Sequence, residues 1–177
     1  MDRLYIIKTL RLNIIPLSLS SLRLYINDYK AFCKENNLSF QEKVLADPFK
    51  RALAIKIKKI ENDPTHWYYY TYWLMIDKKR REEVGTIGFK GLPDQKGVVE
   101  IGYGTEKAFQ NKGFMSEALK AFIKEFPDDL KRIHIIRAQV AKTNDPSVKL
   151  LEKTGFKMIS SVENCHFYEL SVIGGVI

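Results

Sequence analysis

Alternating strand-like and helix-like segments predict a single mixed α/β domain over residues 1–177. Three observations carry that reading. Val98, Val99, Ile101 and Tyr103 form a β-branched and aromatic run, broken by Gly102 and Gly104, that reads as a strand. Met115, Ala118, Leu119, Phe122, Ile123 and Phe126 then follow at i, i+3, i+4, i+7, i+8 and i+11, the single apolar stripe of an amphipathic helix. No internal repeat, low-complexity tract or linker divides the 177 residues, and 45% hydrophobic content suits one packed core.

Taken in order, Leu4 to Leu17 reads as one or two short strands, with Leu10 to Ile15 alternating until Pro16 stops them. Ser18 or Ser20 is placed to cap a helix through Leu22, Tyr25, Ile26, Tyr29 and Phe32, ending near Asn36-Asn37. A second helical stretch begins about Phe40 and passes Val44, Leu45, Phe49, Leu53 and Ile57, interrupted by Pro48. Trp67 to Ile76 is the most aromatic run. It reads as a long strand packed on both faces, with base stacking as the alternative use.

A charged turn, Lys78 to Arg81, joins it to a return strand over Val84 to Phe89. Gly91 to Gly97 is a loop by composition and leads into the strand of Val98 to Tyr103. Pro127 cannot continue the helix after it. Arg132 to Val140 is a further strand. Asp145 is placed to cap a helix whose first residue is Pro146, with Gly155 as its stop. Phe156 to Ser160 and Cys165 to Leu170 pair as a closing hairpin.

The formal charge is +8, from 29 Lys and Arg against 21 Asp and Glu. An excess of that size suits a polyphosphate ligand, an acidic protein surface or nucleic acid. The basic residues are scattered, and the densest run is followed at once by Glu82-Glu83, so no nucleic-acid partner is expected. Cys33 and Cys165 lie far apart without metal-like or CxxC spacing, the pattern of reduced thiols, and no metal is expected. Arg3, Lys8 and Arg11 break the apolar N-terminus, and no run approaches the ~20 apolar residues that span a bilayer. A soluble cytoplasmic protein is expected.

The chemistry concentrates between the central strand and its helix, in Gln110-Asn111-Lys112-Gly113-Phe114-Met115. A turn feeding a helix N-terminus leaves backbone N–H groups without intrahelical partners, where the helix dipole adds positive potential. Such a place binds phosphate or pyrophosphate. Gly113 lets a ligand approach the main chain and Lys112 adds a full charge. An ordinary strand-to-helix connection with a surface lysine has the same composition.

A second signature follows: Asn144-Asp145-Pro146-Ser147, then Glu152-Lys153-Thr154-Gly155-Phe156, of the form N-x-x-S…E-K-x-G-F. With Glu100-Ile101-Gly102-Tyr103, the two segments resemble the GNAT superfamily of acetyl-coenzyme A-dependent N-acetyltransferases, in the branch of the ribosomal-protein alanine acetyltransferases. The resemblance runs from Leu10 to Leu170 and is specific between Gly85 and Phe156. It implies a mostly antiparallel sheet, splayed in the middle where coenzyme A enters and flanked by helices. It implies transfer of an acetyl group from acetyl-coenzyme A to a primary amine by direct attack, in a monomer or a homodimer. The alternative is a GNAT-fold protein that holds an acyl-coenzyme A without transferring it.

By the same resemblance, residues 110–115 take the pyrophosphate, the main chain of Tyr103, Gly104 and Thr105 takes the pantetheine arm, and Asn144 meets the cofactor. Met115 stands where the family has glycine or alanine. Glu100 is the candidate base for the acceptor ammonium, directly or through a water, and by strand alternation it shares a face with Gly102 and Gly104. His134 and His166 are further candidates for that role. Leu151 occupies the position of the family's acid tyrosine, which leaves Tyr168 or Ser147 to protonate the leaving thiolate.

Overall fold

A computed structural model describes residues 5–126 and 132–172. Among these, eight strands form one sheet: β1 Ile7–Lys8, β2 Leu12–Pro16, β3 Trp73–Asp77, β4 Glu83–Phe89, β5 Val98–Thr105, β6 Ile135–Ala141, β7 Lys157–Val162 and β8 Cys165–Ser171. Their spatial order is β1-β2-β3-β4-β5-β6-β8-β7, and every pairing is antiparallel except β5 with β6. Helices α1 Leu19–Asn27, α2 Tyr29–Glu35, α3 Asp47–Asn62, α4 Trp67–Tyr70, α5 Phe114–Glu125 and α6 Asp145–Lys153 complete the fold. The mixed α/β class and the closing hairpin stand as the sequence predicts. Leu4 and Pro127 lie outside the described residues.

Two cores cover opposite faces of the first half of the sheet. On one, α5 lays Ala118, Leu119, Phe122 and Ile123 against Trp73, Met75, Ile87 and Phe89. The rings of Phe89, Phe122 and Phe126 meet one another edge-on or tilted, with centroids 4.9 to 5.3 Å apart. Phe122 is fully buried, so its truncation to alanine would cost about 3–5 kcal/mol. On the other face, α1, α2 and α3 bury Leu22, Tyr25, Phe32 and Leu53 with Leu74 and Ile76. Strand β3 therefore feeds alternate side chains to two cores and is buried along its length.

Four sequence expectations are corrected here. The aromatic run is not one strand: Trp67–Tyr70 is a helical turn closed by Thr71 N–H to the Trp67 carbonyl, 3.0 Å, and only Trp73–Asp77 is extended. Bulky apolar residues fit either a two-faced strand or a buried helix, and periodicity does not separate them. The first helix is two, because Asp28 leaves helical geometry and accepts from Ala31 N–H to start α2. The second begins at Asp47, not Phe40, with Pro48 opening it. Finally, Asn144 and not Asp145 caps α6, its side chain accepting from Ser147 N–H.

Candidate active site

The site exists because β5 and β6 part company. They pair only over Val98–Glu100 with Ile135–Arg137. From Ile101 onward β5 keeps β4 as its strand partner, while β6 runs on beside β8 to Ala141. The edge of β5 facing β6 is left open, and a wedge forms between the two strands.

Clefts enter this wedge from opposite sides. The first, about 410 Å³, lies between β5, the 110–115 turn and the start of α6. The second, about 370 Å³, lies under α3, where Lys56, Tyr72 and Lys90 face Gly88 and Gly102. Both are lined by Tyr103, Gly104, Asn144 and Ser147. A third, about 280 Å³, opens between residues 43–46 and the ends of β4 and β5, and it too reaches Gly104. A Cβ on Gly104 would have nothing within 4 Å, so that strand position borders open space.

The turn at the first cleft is shaped by two left-handed residues, Asn111 at φ 59° and Gly113 at φ 76°. Gly113 precedes the first residue of α5 and its carbonyl accepts from Glu117 N–H, 3.1 Å. Gln110 folds back to donate to the Thr105 carbonyl, 3.2 Å. Thr105, Gln110, Asn111, Gly113, Phe114 and Met115 all line the cleft. Met115 is also part of the core beneath α5, so its side chain serves as floor. Lys112 is placed differently: its ammonium donates to the Ala108 carbonyl, 2.7 Å, and lies over the Phe109 ring.

Across the wedge, Asn144 uses its Oδ1 to cap α6, 3.2 Å from Ser147 N. Burial pushes the Tyr103 phenol up to about 12, partly offset by the neighbouring Ser147 hydroxyl. Ser147 lines both clefts and so stands in the wedge, whereas Glu100 and Tyr168 do not line them. Glu100 is on the Gly102 face, as alternation requires, with its carboxylate paired to Lys90 Nζ at the rim of the second cleft. Tyr168 is buried on β8 and donates to Glu152, 3.2 Å. Leu151 is fully buried in the core, and neither His134 nor His166 lines any of these three clefts; His134 lines a separate one with Asp94, Gly97 and Arg132.

Three features escaped the sequence reading. Arg11 and Thr9 reach Glu117 in the first turn of α5. Glu83 accepts from Tyr25, Tyr29 and Lys43 at 2.7 to 2.9 Å, and Lys43 bridges on to Glu106, closing the wall of the third cleft. Burial, and next the Glu83 charge, push both phenols up, so they stay protonated donors. Lys56 is buried and donates to the carbonyls of Tyr70, Thr71 and Phe89 at 2.9 to 3.3 Å. Every one of these contacts joins distant segments, and no local spacing announces them.

A sheet wedged open at its parallel junction, with a left-handed glycine turn and a helix N-terminus at the mouth, is an α/β fold of the acyltransferase type. The pattern of the family described as "Acetyltransferase (GNAT) domain" matches residues 19–157, and the chain belongs to that family. Over 84 residues it is 37% identical to the uncharacterized N-acetyltransferase YjdG of Bacillus subtilis (strain 168), covering 48% of this chain and 49% of that one. The chain spans about half the length of the curated relatives it matches, 49% and 46%. Its fold is shared with the ribosomal-protein-S5-alanine acetyltransferase of Vibrio fischeri, with TM-score 0.64, 16% identity and coverage of 94% and 96% of the two chains. It is shared too with the ribosomal L7/L12 alpha-N-protein acetyltransferase RimL in complex with coenzyme A, with TM-score 0.63, 15% identity and coverage of 95% and 98%. Among the described residues no helix is long and apolar enough to cross a membrane, and no group of three His, Cys, Asp or Glu is placed to hold a metal.

Proposed function

We propose that this chain transfers an acetyl group from acetyl-coenzyme A to a primary amine, a protein N-terminus or a small molecule, by direct attack in a ternary complex. The observation that carries this reading is the meeting of two clefts at Tyr103, Gly104, Asn144 and Ser147, which gives a thioester and an amine separate approaches to one point. The residues present suit the cofactor. Gly113 and the free N-terminus of α5 suit its pyrophosphate, and the open edge of β5 suits its pantetheine amides. A coenzyme A-bound relative with the same fold adds support.

In this reading a backbone N–H of β5 polarises the thioester carbonyl, where a preorganised donor acts on developing charge. Glu100, at the rim of the second cleft, takes the proton from the acceptor ammonium through water. Ser147, which lines both clefts beside Tyr103, is the acid candidate that stands where the leaving thiolate would form. Tyr168 would have to exchange its Glu152 partner first. The acceptor approaches through the second cleft.

A second reading, acyl-coenzyme A binding without transfer, is favoured by Leu151, which puts a buried aliphatic side chain where an acid is expected. One experiment separates the two. Thiol release from acetyl-coenzyme A is followed with a panel of amines and peptide N-termini, beside thermal shifts with coenzyme A alone. Release dependent on an amine supports transfer. A thermal shift without release from any amine supports the binder, and no shift at ~1 mM removes both.

A further inference from the structure

Arg11 sits in the tight connection between β1 and β2, far in sequence from the 110–115 turn, yet it grips that turn from outside. Its Nη1 donates to the Lys112 carbonyl at 2.8 Å. Its Nε and its backbone N–H donate to the two oxygens of Glu117, at 2.6 and 2.8 Å. Its guanidinium lies over the Phe114 ring, 4.2 Å from the centroid. Nη2 comes 3.5 Å from where a Cβ on Gly113 would stand. Thr9 donates a further hydrogen bond to Glu117.

Peptide planarity turns this grip into a consequence for the cleft. In a trans peptide the C=O and the following N–H point in opposite directions. The Lys112 carbonyl accepts from Arg11, so the Gly113 N–H of the same peptide points away from Arg11, and Gly113 itself lines the first cleft. The guanidinium has a second effect. Glu117 carries a negative charge one turn into α5, close enough to repel an anion at the helix N-terminus. Burial opposes that charge, but hydrogen bonds from Thr9 and Arg11 outweigh it and hold the carboxyl below its usual range. Arg11 pairs with this charge and offsets it.

We propose that Arg11, braced by Glu117, is a positioning residue for anion binding: it aims the Gly113 amide into the first cleft and cancels the one carboxylate beside it. This rests on the reading of that turn as the cofactor pyrophosphate site. It predicts a role for a β1–β2 residue that lines no cleft itself.

The test titrates the full chain with coenzyme A and, separately, with pantetheine, which lacks the pyrophosphate. Wild type, Arg11→Gln and Arg11→Lys are compared by thermal shift and calorimetry. Arg11→Gln should bind coenzyme A about tenfold more weakly, as loss of a charged hydrogen bond allows, with its response to pantetheine unchanged. Arg11→Lys keeps the charge opposite Glu117 without the fork that also reaches Lys112, and should show the same selective loss. It is the deciding variant if Arg11→Gln does not fold. Wild-type affinity for coenzyme A in the foldable variant overturns the proposal, and so does an equal loss for both ligands, which marks general damage. A wild type that binds no coenzyme A overturns the cofactor assignment itself, and the positioning role with it.

Discussion

Gly85 on β4 presses against Gly104 on β5, so closely that a Cβ on Gly85 would come within 2.1 Å of the Gly104 carbonyl oxygen. The obstruction is backbone, which cannot swing aside as a side-chain tip would. Gly85→Ala must therefore push β5 away from β4 at the residue all three clefts share. We expect a loss of about 1–3 kcal/mol in urea unfolding, together with weaker coenzyme A binding. An unchanged unfolding midpoint would show that the strands part there without cost.

Gly104→Leu tests the same place from its open side. A Cβ at Gly104 meets nothing within 4 Å and the position borders the clefts, so the fold should hold and the melting temperature should stay near that of the wild type. The leucine would occupy the junction of the clefts. Amine-dependent thiol release should fall by ~10²-fold, the scale of a misplaced reacting pair. Retained turnover in a folded variant would move the reacting point away from Gly104.

Lys56 gives stability a pH signature. Burial, then the neighbouring charges of Lys59 and Lys90, bring its ammonium from the ordinary 10.5 down to about 7. Between those values the unfolded chain holds a proton that the folded chain has released, so this group makes stability rise with pH from about 7 to about 10.5. Lys56→Met removes the titration. The melting temperature of wild type minus variant should climb from pH 7 to pH 10. A flat difference would mean that the three carbonyl partners keep the amine charged throughout.

For Glu100 the question is base or brace, since its carboxylate also holds Lys90 at the rim of the second cleft. Glu100→Gln preserves the shape and removes the base. We expect kcat to drop at least ~10-fold, with KM for acetyl-coenzyme A unchanged and the deficit shrinking as pH nears the amine's own pKa of ~10. A rise in the acceptor KM alone would reduce Glu100 to holding Lys90 in place.

Sequence alone determined what local physics determines. The stripe from Met115 to Phe126, the glycine-broken strand before it and the turn between them are set by periodicity and backbone freedom within a few residues, and each stands in the fold. The same physics failed where local signals are degenerate. Trp67 to Tyr70 became helix because a buried aromatic run suits either geometry, and Pro48 opened a helix it was expected to break. Only the tertiary structure decided the rest of the site. The wedge depends on β6 parting from β5 after Arg137 while β8 stays paired along its other edge, and the wall of the third cleft on Lys43 meeting Glu83 and Glu106. The brace on the 110–115 turn depends on Arg11 finding Glu117, 106 residues away. Contacts across such separations follow from how the cores close, and no spacing along the chain encodes them.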